Sequence, residues 1–291
     1  MFLIAGGISD PNLDALAKAA DRLGIEWFDL RQPLKSSLPF HWELDTHTGH
    51  AVCPWGDVAF PCSAFIRQDV FAHMNDPRPE VAVRALGSFT AVQGWLLANP
   101  SVRTFNSAIS HQAHNKVAAL ILARQCGLEI PETWVSNHAG HMRERSKSKS
   151  SIAKPVAGGG YCQTLDEALE SVNVDFSAIP ALIQSRMVAP EIRIFVVGGN
   201  AFAFRVSSPS LDYRVKQDAQ LEQVDVPKVI ARLRKLMKKL RMNFGAADFK
   251  TNPDTGELVF LELNTSPMFA AFDKVSHGKL TESMVSCLCL D

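Results

Sequence analysis

Two carboxylates and an amide near the end of the chain are the residues best suited to chemistry. Glu262 and Asn264 lie two positions apart in the apolar stretch VFLELNTSP, so on a strand both side chains leave the same face. The surrounding sequence AADFKTNPDTGELVFLELN has the alternating pattern of a hairpin. If residues 254–256 form a three-residue loop with Gly256 at positive φ, Asp248 lies directly opposite Glu262.

This register also predicts the other cross-strand pairs, with Lys250 opposite Phe260 and Ala246 opposite Asn264, although a bulge would shift it by one residue. Two carboxylates about 5 Å apart repel each other unless a cation or a proton lies between them. Carboxylate and amide oxygens suit Mg²⁺, which completes its coordination with water and phosphate oxygens. An isolated E-x-N pair can equally be a solvent-facing pair. The convergence of three such side chains favours a magnesium site beside a nucleotide.

A magnesium nucleotide also needs cations and a flexible cover over its phosphates. Lys154 follows the start of an apolar strand and precedes Gly158, Gly159 and Gly160 by four residues. Three glycines let backbone N–H groups approach phosphate oxygens, but the Walker A pattern is absent. Lys116, near a helix start in HNKVAAL, taken alone is an ordinary surface lysine, and a glycine triplet alone is more often a simple loop.

The elements that must position these residues begin with a β-α-β unit, which argues for an α/β sheet. Asp10 and Pro11 start its helix and Gly24 ends it. The remaining predictions follow the apolar periodicity. They are short strands in 31–68, helices at 79–98, 110–127 and 228–241, a solvated polar loop at 137–151, strands at 151–156 and 181–188, a capping box at Thr164 and Glu167, and a hairpin at 191–208.

As an ordered set, these motifs resemble the ATP-grasp superfamily, and most closely its microviridin-type graspetide synthetases and glutamate-adding ligases. The resemblance covers about residues 105–270. Its motifs are NK at 115–116, AKP at 153–155 with the glycine loop, LIQSRMV at 182–188, EIRIFVVGG at 191–199, DYR at 212–214, ADF at 247–249 and FLELNTSP at 260–267.

The resemblance implies an α/β fold of the ATP-grasp type, with two α+β subdomains that clamp ATP between them after an N-terminal α/β domain. The implied domains are 1–105, 106–188 with the glycine loop, and 189–291 with the metal site. It also implies a role for each motif residue. By this resemblance, Lys116 and Lys154 contact the α- and β-phosphates, and the loop of Gly158, Gly159 and Gly160 covers the phosphates. Gln184 and the backbones of Ser185 and Met187 contact the adenine edge, and Glu191 binds the ribose. Arg193 and Arg214 contact the transferring phosphate, and two Mg²⁺ ions are bound by Asp248, Glu262 and Asn264.

The implied activity is that of an ATP-dependent carboxylate–amine or carboxylate–alcohol ligase that forms an acyl phosphate. Its expected partner is an acidic precursor peptide that receives ester or amide crosslinks, and the basic stretch 143–149 is expected to attract this peptide. A small carboxylate substrate is the alternative: a ligase that joins an amino acid to a small molecule or a carrier-bound acyl group. A third reading is an ATP-binding module without catalysis. The sequence leaves open whether the protein forms a homodimer.

Composition excludes several other classes of protein. Thirty basic residues balance thirty acidic ones, so no overall field attracts nucleic acid or a membrane surface, and no apolar run is long enough to span a bilayer. The start of the chain lacks the pattern of a signal peptide, and the six cysteines lack metal-type spacing. We therefore expect a cytoplasmic protein with reduced thiols.

Overall fold

The chain divides into two compact units, which the computed structural model describes over residues 1–32, 42–53, 56–58, 60–146, 150–157, 162–170, 172, 175–209 and 219–290. The first unit combines residues 1–107 with residues 268–291, and the second spans residues 108–267. This division differs from the three predicted domains, because the last residues pack with the first unit rather than with the strands that precede them. The predicted boundaries within the second unit stay a prediction.

The first unit is built on a three-stranded sheet in which β1 pairs in parallel with both β2 and β6. Helix α3 packs on the side of β1 that carries Leu3 and Ala5, and contributes Trp95 to the core. The elements of this unit are β1 (Phe2–Gly7), α1 (Pro11–Arg22), β2 (Trp27–Gln32), β3 (Glu43–Leu44), β4 (Ala51–Cys53), β5 (Gly56–Val58), β6 (Ser63–Ile66), α2 (Ala72–Asn75), α3 (Pro79–Leu97), α8 (Ala270–Val275) and α9 (Lys279–Cys289).

The second unit contains two antiparallel sheets, ordered β7-β10-β8-β9 and β13-β12-β11-β14-β15. Helices α5 and α6 pack on the four-stranded sheet, while α4 and α7 cover one face of the five-stranded sheet. The elements are α4 (Lys116–Gln125), β7 (Thr133–His138), α5 (Ala139–Ser146), β8 (Ser151–Pro155), β9 (Gln163–Thr164), α6 (Leu165–Glu170), β10 (Phe176–Ser185), β11 (Val188–Val197), β12 (Asn200–Ser207), β13 (Gln220–Val224), α7 (Ile230–Lys239), β14 (Phe244–Thr251) and β15 (Leu258–Asn264).

The C-terminal hairpin confirms the predicted register at the site and corrects it near the turn. Asp248 lies opposite Glu262, and Ala246 lies opposite Asn264. A bulge follows the first of these pairs, so Lys250 faces Val259 instead of Phe260. Gly256 has a φ of +72° as expected. The pairs next to the turn are one residue off the register that the three-residue loop predicts, because Asn252 bonds to Glu257 around a four-residue loop. The extra residue on β15 compensates for this offset, so the site pairs match the prediction.

Two other local predictions were wrong. The polar stretch predicted as a loop contains helix α5, because residues 139–146 pack Met142 against the sheet core. The helix predicted at 110–127 is divided into a 3₁₀ turn (His111–His114) and α4. Asn115 separates the two, and its side chain caps α4 by accepting from the Ala118 N–H at 3.0 Å.

The capping predictions for two helices were confirmed. Asp10 accepts from the backbone N–H of Asn12 at 2.8 Å. Thr164 and Glu167 exchange the reciprocal bonds of a capping box, at 3.0 and 3.3 Å. In the part of the chain that the structure covers, no helix combines the length and the hydropathy that crossing a membrane requires.

Candidate functional site

A row of charged side chains crosses three neighbouring strands on one face of the five-stranded sheet. Arg193 on β11 pairs with Asp248 on β14, which pairs with Glu262 on β15. Directly paired residues share a face of a sheet. The opposite face carries apolar residues such as Ile192 and Phe249, which are buried against the covering helices. The sheet is therefore amphipathic, with its charged face free of the helical core.

Asp248 accepts three hydrogen bonds from neighbouring side chains. Arg193 Nε and Nη2 donate to its two carboxylate oxygens at 2.6 and 2.7 Å, and Asn264 Nδ2 donates to Oδ2 at 3.1 Å. A bidentate guanidinium–carboxylate pair has a fixed geometry, and both side chains are nearly buried. A carboxylate offers about four lone-pair sites, so Asp248 keeps one site for a further ligand.

Glu262 has a different environment from the carboxylate opposite it. Its side chain is half-buried, and no other residue that the structure describes forms a hydrogen bond or an ion pair with it. Its negative charge stabilises the positive charge of Lys154 from a distance. A half-buried carboxylate without direct partners is well suited to receive a cation.

Two lysines approach this face from other elements. Lys154 lies on β8 of the four-stranded sheet, opposite Leu182, and Lys116 is the first residue of α4. Burial lowers the pKa of Lys154; Glu262 opposes this shift, while Lys116 adds to it by repulsion. Lys116 Nζ reaches the Pro155 carbonyl at 3.5 Å. Two neighbouring, partly desolvated ammonium groups favour an anion between them.

Glu191 and Lys250 form a second pair on the same charged face, with Nζ and Oε2 3.2 Å apart. Burial raises the pKa of Glu191, and the nearby negative charge of Asp248 raises it further, while Lys250 opposes the shift. Such perturbed carboxyls concentrate at functional sites. The sequence around Lys250 gives no signal for this contact, because the contact depends on the pairing of β11 with β14, strands far apart in the chain.

Gln184 is the one buried side chain of the described residues that keeps a polar atom without a partner. Its Nε2 donates to Thr133 Oγ1 at 3.0 Å, but Oε1 has no donor. Gln184 lies two residues from Leu182 on β10, so it shares the face of the sheet that carries Lys154. An unsatisfied buried acceptor is costly, and a ligand that donates a hydrogen bond would satisfy it.

The hinge after β10 has one backbone group that is already bonded. The Ser185 N–H donates to the Glu132 carbonyl at 3.0 Å, so it does not read an adenine edge. The adenine contact of Gln184, Ser185 and Met187 stays a prediction, with the Ser185 N–H excluded from it. The predicted phosphate residues Gly158, Gly159, Gly160 and Arg214 lie outside the described residues, as do residues 147–149 of the basic stretch.

The donor set fits magnesium better than a transition metal. Among the described residues, no group of three or more His, Cys, Asp or Glu side chains could hold a metal ion. Glu262, one remaining site on Asp248 and the amide oxygen of Asn264 supply oxygen ligands only. Mg²⁺ commonly binds one or two protein carboxylates and takes its other ligands from water and phosphate, so this partial set suits a nucleotide-bound ion.

Comparisons with known proteins identify the fold. No protein-family model and no curated protein matches the chain. Solved structures match it over nearly its whole length. A Chryseobacterium gregarium RiPP-associated ATP-grasp ligase in complex with ADP and a leader and core peptide has a TM-score of 0.78 and 19% identity, covering 99% of this chain and 96% of that chain.

Two further structures agree. The macrocyclase MdnC bound with precursor peptide MdnA from Microcystis aeruginosa has a TM-score of 0.75 at 20% identity, with 100% and 99% of the two chains covered. The ATP-grasp ligase PsnB complexed with minimal precursor, Mg and ADP has a TM-score of 0.73 at 20% identity, with 99% and 98% covered. The chain therefore has the fold of the ATP-grasp ligases.

Proposed function

We propose that the protein is an ATP-dependent ligase that activates a carboxylate as an acyl phosphate and transfers it to an amine or a hydroxyl. One observation carries this proposal. The carboxylate of Glu262, which has no direct partner among the described residues, lies in a row with the Arg193–Asp248 pair, and the charges of Glu262 and Asp248 act on the buried ammonium group of Lys154 in another sheet. An anion and its counter-cation would satisfy both charges.

The residues outside the metal set would bind and orient the nucleotide. Lys154 and Lys116 would neutralise the α- and β-phosphates, because their mutual repulsion falls when an anion lies between them. The unsatisfied Oε1 of Gln184 would accept from the exocyclic amino group of adenine. Glu191, beside Lys250, would accept from ribose hydroxyls. Gly158, Gly159, Gly160 and Arg214 are assigned to the phosphates by resemblance.

Glu262, Asn264 and Asp248 would hold the magnesium ions, and one or two ions suit the oxygen ligands present. Bound magnesium supplies positive charge to the phosphate oxygens during transfer. Arg193 holds Asp248 in a fixed orientation through two hydrogen bonds. The resemblance assigns Arg193 itself to the transferring phosphate.

The chemistry is a displacement followed by an acyl transfer. A carboxylate oxygen of the substrate attacks the γ-phosphorus, the bond to the β-phosphate oxygen breaks, and ADP leaves. An amine or hydroxyl then attacks the acyl carbon, phosphate leaves, and the nucleophile loses its proton to solvent or to a basic group. Positioning and electrostatics account for most of such catalysis, so no protein nucleophile is needed.

A peptide is the substrate that the comparisons favour. The three solved structures reported above contain a precursor or a leader and core peptide. The product would be an ester or amide crosslink within an acidic peptide, formed with net loss of one water. The nucleotide residues do not distinguish this reaction from ligation of a free amino acid to a small molecule, so the substrate needs its own test.

Mass spectrometry tests the substrate directly. The protein would be incubated with magnesium and ATP, together with acidic peptides rich in Ser, Thr or Lys or with a panel of free amino acids, and ADP release would be measured in parallel. We expect loss of the mass of one water per bond from a peptide. Turnover with free amino acids alone would favour the small-molecule ligase, and ATP binding without any ADP release would favour the non-catalytic module.

A further inference from the structure

Helix α7 carries a dense group of positive charges on its exposed surface. Residues 228–241 contain seven basic residues and no acidic one. Four of them, here called the α7 basic row, recur every three or four positions: Lys228 in the turn before the helix, then Arg232, Lys235 and Lys239, which follow one flank of it. All four are exposed. At 1.5 Å per residue its three helical members, from Arg232 to Lys239, extend about 10 Å along the helix.

The positive charges of this row are not neutralised within the described residues, where no acidic side chain forms an ion pair with any of the four. Lys239 Nζ donates to the neutral amide oxygen of Gln125 at 2.7 Å. The aliphatic part of the Arg232 side chain lies beside Gly127, which has no charge. The chain as a whole has a formal net charge of zero. The row is therefore a local concentration of charge on a neutral protein.

The residues around the row favour an acidic polypeptide over a membrane or a nucleic acid as its anionic partner. A membrane-bound amphipathic helix inserts its apolar face into lipid, but Leu233, Leu236 and Met237 of α7 are fully buried in the protein core. Single-stranded nucleic acid is commonly held by aromatic stacking, and residues 228–241 contain no aromatic side chain. A flexible acidic polypeptide needs neither feature.

We propose that the α7 basic row binds an acidic segment of the peptide substrate. This inference rests on the proposed function, which requires a peptide that carries carboxylates. An extended peptide advances about 3.3 Å per residue, so about four residues span the helical part of the row. Acidic side chains on alternate positions recur about every 6.6 Å, which is close to the spacing of successive cations along one flank of a helix. The row would recruit the peptide to the unit that carries the nucleotide site.

The test is a binding measurement without ATP, so it does not depend on turnover. Fluorescence anisotropy would follow a labelled peptide of alternating Glu and Ser, long enough to span the row. The variant K228Q/R232Q/K235Q/K239Q keeps good helix formers at exposed positions. At about 0.01 M ionic strength we expect the affinity to fall about tenfold or more. At about 0.15 M both proteins should bind more weakly and the difference between them should shrink.

A matched control removes the same number of charges elsewhere. The variant K18Q/R84Q/K274Q/K279Q replaces four exposed basic residues of the first unit and should bind the peptide as the wild type does. Equal loss in both variants, or none in either, would overturn the proposal. So would a wild-type protein that binds a single-stranded oligonucleotide or an anionic vesicle through the row but not the acidic peptide. If the protein crosslinks the acidic peptide equally well with and without the four charges of the row, this inference is overturned and the proposed function stays intact.

Discussion

At the scale of single residues, the two facing carboxylates of the site have different surroundings. Asp248 is fixed by Arg193 and Asn264, whereas Glu262 has no direct partner among the described residues. Glu262→Gln keeps the shape and removes the charge, so magnesium-dependent ADP release should fall about a hundredfold or more. Glu257→Gln, at an exposed position of the same hairpin, is the control. Near-normal ADP release from a folded Glu262→Gln protein would remove the metal assignment.

Lys154 is expected to contribute to nucleotide binding and not to the stability of the free protein. Burial lowers its pKa, which means that the charged form is disfavoured where it lies. Lys154→Met should weaken ATP binding about tenfold to a hundredfold, the effect of one charged hydrogen bond. Without nucleotide, the free energy of unfolding should stay within about 1 kcal/mol of the wild-type value or rise. Calorimetry and thermal unfolding measure the two quantities. The exposed Lys274→Met is the control.

An unchanged ATP affinity in Lys154→Met would show that Lys154 does not contact phosphate. A large fall in the free energy of unfolding without nucleotide would indicate instead that the Lys154 side chain stabilises the folded protein. Either result separates the phosphate assignment from a structural role.

Glu191 should give the stability of the protein a characteristic pH dependence. Because its pKa is raised from 4.5 in the folded state, the folded protein binds this proton more tightly than the unfolded chain does. The stability from this group is fully present below pH 4.5 and is lost as the pH rises through the folded pKa. Urea unfolding across this range should show wild type losing stability relative to Glu191→Gln as the pH rises. A constant difference would contradict the assigned shift.

At the scale of elements, the start of α4 positions one of the two lysines that we propose to contact phosphate. Asn115 caps the helix through the Ala118 N–H, and Lys116 is the next residue. Asn115→Ala should cost about 1 kcal/mol of stability and lower ATP affinity a few-fold, because the first turn that holds Lys116 loosens. Asn115→Ser keeps a capping oxygen and should retain both. Equal ATP affinity in the wild type, Asn115→Ala and Asn115→Ser would show that the helix cap does not affect nucleotide binding.

Local patterns predicted the elements of the site well and their interruptions poorly. The hairpin register at Asp248 and Glu262 follows from turn chemistry and alternation, which are local. The bulge beyond that pair, by contrast, has no signature in the residues around it. Helix α5 was missed because its sequence is polar, and only the packing of Met142 against the sheet core reveals it. Asn115 did carry a signal, since a capping residue inside an apolar periodicity marks a helix start.

At the scale of the whole molecule, contacts between distant segments were beyond reach of the sequence pattern. The pairing of β11 with β14 brings Arg193 to Asp248 and Glu191 to Lys250, and nothing near these residues in the chain specifies it. Likewise, α9 packs against α1 in the first unit. The buried amide of Asn12 also accepts from the Phe269 N–H at 2.6 Å. The ordered set of motifs predicted the fold because a family pattern records such long-range contacts indirectly.

We propose that each ester or amide bond formed consumes one ATP at the site of Lys154, Asp248 and Glu262. The most direct measurement counts ADP released and water lost from an acidic peptide in the same reaction, by chromatography and mass spectrometry. We predict one ADP per water lost, no product without magnesium, and no product from Glu262→Gln. Release of AMP in place of ADP, water loss without ADP, or full activity of Glu262→Gln would contradict this account.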